Sequence, residues 1–88
     1  MLGRGKKLMI PELNTDKKVV GTKQVKRALL NGKAKTVYLA KDADSKIQNE
    51  IITACEEKKV PIIYVETMEE LGKSCKIEVN AASAALLK

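Results

Sequence analysis

Apolar positions along the chain keep two different rhythms, and the switches between them divide it into elements. Val19 and Val20 sit in a short extended run, Lys18 to Gly21, that ends in glycine. From Thr22 to Asn31 the spacing becomes helical. Val25, Ala28 and Leu29 share one face, Lys23, Gln24, Lys26 and Arg27 are left facing outward, Thr22 is a candidate cap and Asn31-Gly32 a stop. Lys35 to Ala40 holds the run Thr36-Val37-Tyr38-Leu39-Ala40, apolar on both faces, as a strand between two layers would be. Asp42 to Ser45 then turns, and Ser45 with Gln48 has the spacing of a capping box. The helix it opens carries the stripe Ile47, Ile51, Ile52, Ala54 and Cys55 and closes near Lys59. Pro61 to Val65 reads as another buried strand, and Thr67 with Glu70 opens a short helix through Met68, Leu71 and Cys75. The tail, Ala81 to Leu87, has helix formers by composition, but a last strand completing the sheet fits the preceding pattern better and is expected.

Repeated strand and helix, with strands apolar on both sides, predicts an α/β domain whose central sheet is covered by helices on both faces and joined by right-handed crossovers. The 88 residues suffice for one such domain and not for two. Residues 1 to 17 are polar, basic and broken by Gly3, Gly5 and Pro11. They read as an appendage, a loose start followed by a short helix around Pro11 to Asn14.

Charge narrows the class of partner. Lys and Arg number 17 against 11 Asp and Glu, a formal +6 that favours an anionic partner without choosing among nucleic acid, membrane surface and acidic protein. Only Tyr38 and Tyr64 are aromatic, each inside an apolar run and expected in the core. An RNA partner would therefore be read by shape, phosphate contacts and a few hydrogen bonds instead of stacking. Histidine is absent, which removes the usual general base and the commonest metal ligand. Cys55 and Cys75 are too far apart for a CxxC pair, fall on apolar helix faces and are expected as buried thiols in a reducing, cytoplasmic setting. Leu8-Met9-Ile10 is cut short by Pro11 and Glu12, so no signal peptide is expected, and no run is long enough to span a bilayer.

Three segments could carry chemistry. Gly21-Thr22-Lys23-Gln24-Val25-Lys26-Arg27 puts a glycine between strand and helix, where another backbone can come close. The free amides and positive dipole end of the helix start then suit a phosphate. Lys23, Gln24 and Arg27 project as one polar edge; Lys and Arg can donate to guanine O6 and N7, and Gln can donate and accept. The same residues also read as an ordinary solvated helix face. In Leu71-Gly72-Lys73-Ser74-Cys75-Lys76-Ile77-Glu78-Val79-Asn80, Ile77 and Val79 either tuck into the core, as periodicity favours, or form an apolar ledge for an unstacked base. Lys41-Asp42-Ala43-Asp44 pairs two acids, which before a helix is capping and dipole chemistry.

Taken together these residues resemble the kink-turn-binding ribosomal protein family, and within it most of all the small bacterial YbxF type. The agreement runs from Lys18 onward and is strongest at Gly21-Thr22-Lys23-Gln24-Val25, Ala40-Lys41-Asp42-Ala43-Asp44 and Leu71-Gly72-Lys73 through Ile77-Glu78-Val79. The resemblance implies a three-layer α/β/α sandwich with a small mixed central sheet, binding to kink-turn RNA, and a place on or near the ribosome. It implies RNA contacts from Gly21, Thr22, Lys23, Gln24 and Arg27 at the helix start, and from Lys76, Ile77, Glu78 and Val79 against the bulged nucleotides. Archaeal and eukaryotic relatives have Asn-Glu where this chain has Lys23-Gln24, and Lys in place of Arg27. Gln24 removes a charge and adds a donor, so the guanine contacts cannot carry over unchanged. The expected protein is a monomer with no cofactor, metal, catalysis or membrane. A protein-interaction module on the same fold is the alternative; a small enzyme is disfavoured because no nucleophile-base pair can be assembled.

Overall fold

The computed structural model describes residues 17–75 and 80–88. Along the chain run β1 (Lys18–Val20), α1 (Thr22–Leu30), β2 (Ala34–Ala40), α2 (Ser45–Lys58), β3 (Ile62–Val65), α3 (Met68–Ser74) and β4 (Ser83–Leu87). The four strands make one mixed sheet in the order β1-β4-β2-β3. β2 and β3 are parallel, with Val37 beside Ile62 and Ala40 beside Val65, while β4 runs antiparallel to both β1 and β2.

Alternation along the strands sorts their side chains between two layers. Val37 and Leu39 of β2 and Ala85 of β4 pack with Val25, Ala28 and Leu29 of α1 and Ile51 and Cys55 of α2. Tyr38, Ala40 and Ala84 point the other way, onto Leu71 and Cys75. The result is the expected α/β/α sandwich, with α1 and α2 on one face and α3 on the other. A register shift between Ala34 and Thr36 inserts Lys35 as a bulge, so Ala34 and Val37, three residues apart, still face the same layer. The alanine-rich tail is a strand as expected, and it lies inside the sheet. Ser83, Ala84 and Ala85 are fully buried, and their small side chains let helices close over both faces.

Three details differ from the sequence-based expectation. β3 is not buried on both faces: it is a sheet edge, and Ile63 and Tyr64 remain 46% and 49% exposed. An apolar run does not reveal whether its strand has one neighbour or two, so of the two tyrosines only Tyr38 is core. The cap of α2 is Asp44, whose carboxylate accepts from the Lys46 amide at 2.8 Å. Gln48 instead donates to the Lys41 and Ala43 carbonyls, bracing the turn. Thr22 does not cap α1, because Gly21 holds that position and Thr22 is already helical.

Other ends form as read. Thr67 accepts from the Glu70 amide at 3.0 Å, and the Asp42 carboxylate accepts from the Met68 amide, tying the start of α3 to the β2–α2 turn. Gly32, at φ 68°, stops α1 by letting the Lys33 amide reach the Ala28 carbonyl. The short helix expected around Pro11 to Asn14 lies outside the described residues. No helix among those described is long and apolar enough to cross a membrane.

Candidate nucleic-acid interface

The start of α1 is set by Gly21. Its φ of 102° and ψ of 145° lie in a region that glycine tolerates and other residues reach only under strain. Its N–H donates to the Ser83 carbonyl at 2.9 Å, and its own carbonyl accepts the first helical bond from Val25. The sequence suggested a glycine that admits a neighbouring backbone. No described atom beyond its chain neighbours comes within 4 Å of the place a Cβ would take. The dihedral angle, not protein packing, demands glycine, and the approach to the helix end stays open.

That end is electrically unfinished. The amides of Thr22, Lys23 and Gln24 have no carbonyl behind them in the helix, no side chain among the described residues caps them, and the first turn holds no acid. α2 and α3 differ, since Asp44 and Thr67 supply side-chain acceptors. The positive end of the α1 dipole is therefore left for an external anion. The Thr22 hydroxyl is spent elsewhere, 3.3 Å from the hydroxyl of fully buried Ser83, and so fastens α1 to β4. Sequence reading missed Ser83, whose position on β4 opposite Gly21 is set only by strand pairing.

On the outer surface of α1 an open groove of about 480 Å³ is lined by Thr22, Lys23, Lys26, Arg27, Leu30 and Asn31. Lys23 and Arg27, one turn apart, bring two cations to it. Gln24 is exposed beside the groove without lining it, 100° around the helix from Lys23. The predicted polar edge is thus a cationic pair with a flanking amide. Lys26 was seen only as outward-facing; its ammonium meets Glu50 of α2 at 3.1 Å, a half-exposed pair that orients more than it stabilises. Leu30 escaped notice. It follows Leu29 and so falls off the buried stripe, leaving it 75% exposed at the end of the groove.

The other half of the expected site, Lys76, Ile77, Glu78 and Val79, lies outside the described residues. The chain on either side is anchored. Cys75 is buried, the Ala81 amide donates to the Met68 carbonyl, the Ala40 amide donates to the Ala82 carbonyl, and Ser83 then meets Gly21. Neither buried thiol belongs to the groove: burial pushes Cys55 up to about 11, and raises Cys75 against the opposing pull of the Lys18 ammonium. Among the described residues no three histidine, cysteine or carboxylate side chains converge as a metal site would require.

Comparison with known proteins bears on this geometry. An RNA-binding protein of Caldanaerobacter subterraneus is 52% identical over 69 residues, 78% of this chain and 84% of that one. The RNA-binding protein YbxF of Geobacillus stearothermophilus is 46% identical over 76 residues, 86% of this chain and 93% of its own. Among solved structures, the Giardia lamblia 15.5kD RNA binding protein superposes with a TM-score of 0.80 at 28% identity, over 89% of this chain and 66% of that one. A Bacillus halodurans protein of unknown function, 20% identical with a TM-score of 0.81, shares the fold. The model of the ribosomal protein L7Ae/L30e/S12e/Gadd45 family matches residues 5–88, nearly the whole chain, and the protein belongs to that family.

Proposed function

We propose that this chain is a cytoplasmic RNA-binding protein that recognises and stabilises kink-turn RNA, as a ribosomal or ribosome-associated component. It acts as a monomer, with residues 1–88 forming one binding domain, and it catalyses nothing and needs no cofactor. The observation that carries this reading is the uncapped, acid-free start of α1 with Lys23 and Arg27 standing over an open groove. RNA binding is also what the names of the similar proteins state of them.

In this reading Gly21 lets the backbone come close and the free amides of Thr22, Lys23 and Gln24 receive a phosphate, Lys23 and Arg27 donate to guanine edges, and Gln24 adds a side-chain donor and acceptor at their flank. Lys76 supplies phosphate charge, while Ile77, Glu78 and Val79 rest on the bulged nucleotides. The protein favours the kinked RNA over the extended form, and shifts the population by the difference in affinity. The exposed Ile63 and Tyr64 on the β3 edge favour a second reading, a protein-interaction module. Tight, salt-insensitive binding to a protein partner with no affinity for RNA would select it.

The test is titration of a kink-turn RNA and of an unbulged duplex of the same composition. The native protein should prefer the kink-turn, and Lys23→Ala or Arg27→Ala should weaken that binding by about 1–3 kcal/mol each. Should both variants bind as tightly as the native protein across a salt series, α1 is not the reading element.

A further inference from the structure

The uncapped start of α1 stands at one end of the sheet, where β1, β2 and β3 finish and β4 begins, and the groove runs from it along the helix. At the opposite end α1 stops, β2 and β3 start and β4 finishes, and there lysines collect. Lys33 sits in the α1–β2 connection, Lys35 on the β2 bulge, Lys58 and Lys59 at the close of α2 just ahead of β3, and Lys88 beyond β4. Backbone hydrogen bonds hold these segments side by side: the Lys88 amide donates to the Lys33 carbonyl at 2.9 Å, and the Val37 amide to the Pro61 carbonyl at 3.0 Å.

All five side chains are exposed, and none makes an ion pair among the described residues. Ion pairs among the described residues, Lys26 with Glu50, Lys41 with Glu66 and Lys73 with Glu69, lie elsewhere. Glu56 and Glu57 precede Lys58 on α2 and pair with none of the five. Lys58 and Lys59 sit at the negative end of the α2 dipole and Lys33 just past that of α1, whereas Lys35 and Lys88 have no such task. Lys59 stands at φ 58°, ψ 42°, the left-handed cap position that glycine or asparagine takes with least strain. Five lysines against Glu56 and Glu57 leave an excess of like charge that repels itself, and an anionic partner relieves that repulsion.

The seven residues of β2, at about 3.3 Å each, set the two ends roughly 20 Å apart. That exceeds twice the Debye length of about 8 Å at physiological salt, so these lysines do not extend the field of the α1 start, while Arg27 in the last turn of α1 lies near Lys33, whose amide bonds the Ala28 carbonyl. They are compact, strongly hydrated charges with no arginine fork and no aromatic ring at their positions, suited to phosphate oxygens and not to base edges. Leu30, exposed at the close of α1, is the large apolar side chain near them, and a single leucine does not anchor a protein to a bilayer.

We propose that this basic end is a second RNA-contact surface, which takes the phosphate backbone of an A-form duplex without regard to sequence. The protein then holds one RNA segment at α1 and another at its far end. The inference does not require that α1 recognise a kink.

The experiment preloads the protein with unlabelled kink-turn RNA and titrates in a fluorescent, unbulged RNA duplex over a salt series. The native protein should capture the duplex. The combined variant Lys33→Gln, Lys35→Gln, Lys59→Asn should capture it roughly tenfold more weakly, with the slope of log affinity against log salt shallower by about 2–3, while it still binds the kink-turn. Lys33→Arg with Lys35→Arg should capture it like the native protein. Capture by the neutralised variant equal to the native, or capture abolished by Lys23→Ala with Arg27→Ala, overturns the proposal. So does binding of phosphatidylserine vesicles by a native protein that leaves the duplex free. Should circular dichroism show the triple variant unfolded, Lys35→Gln alone decides, with a slope shallower by about 1 expected and an unchanged slope overturning the idea. A native protein that captures the duplex but not the kink-turn removes the α1 reading and leaves this surface standing.

Discussion

Gly21 shows how one dihedral angle can serve a site. With φ at 102° and no described atom near its absent Cβ, Gly21→Ala meets no clash but forces an unfavourable backbone state. A loss of about 1–3 kcal/mol is expected, read as a lower urea midpoint at unchanged m-value. An unmoved midpoint would show that the junction relaxes freely. The glycine, the lysine and the arginine of this region were all legible in the chain, because residue type alone announces φ freedom or charge. Ser83 and Leu30 were not. Ser83 matters through a partner 61 residues away, the Thr22 hydroxyl, and Leu30 through a 100° rotation from the buried stripe.

At the scale of elements, α1 is a helix whose start forgoes the stabilisation its two neighbours have. Lys23→Glu would place an acid in that first turn and stabilise the helix by about 0.3–1 kcal/mol. The same change puts a negative charge where the phosphate is proposed to sit. Thermal unfolding should move up slightly while kink-turn affinity collapses; a variant that gains stability and keeps its affinity would dissociate the helix end from RNA binding. The order of strands and helices was readable because periods of 2 and 3.6 residues differ plainly over runs such as Thr36 to Ala40 and Ile47 to Cys55. The edge position of β3 was not, since Pro61 to Val65 is as apolar as a central strand and only the pairing order leaves Tyr64 half in water. The cap of α2 was misplaced by one residue because Asp44 and Ser45 are both good caps and side-chain geometry chooses between them.

Over the whole molecule, two packed layers isolate the thiols from solvent, and this sets a pH limit on stability. Burial raises Cys55 from 9.0 to about 11, so the folded state favours the protonated thiol. Its contribution is complete below pH 9 and is lost as pH rises from 9 to 11. Urea midpoints measured across that window should fall more steeply for the native protein than for Cys55→Ala; parallel curves would contradict the assignment. Exposed cations stand along α1 and at the far end of the sheet, with α1 proposed to read an RNA bend and the far lysines a backbone. The central claim is that the protein selects a kinked RNA, and the most direct measurement is fluorescence energy transfer between dyes on the two stems of a kink-turn, in buffer without magnesium. Adding the native protein should bring the dyes together to a high-transfer state, and the Lys23→Ala, Arg27→Ala double variant should require much higher concentrations to do so. A transfer efficiency unchanged by saturating native protein would contradict the account.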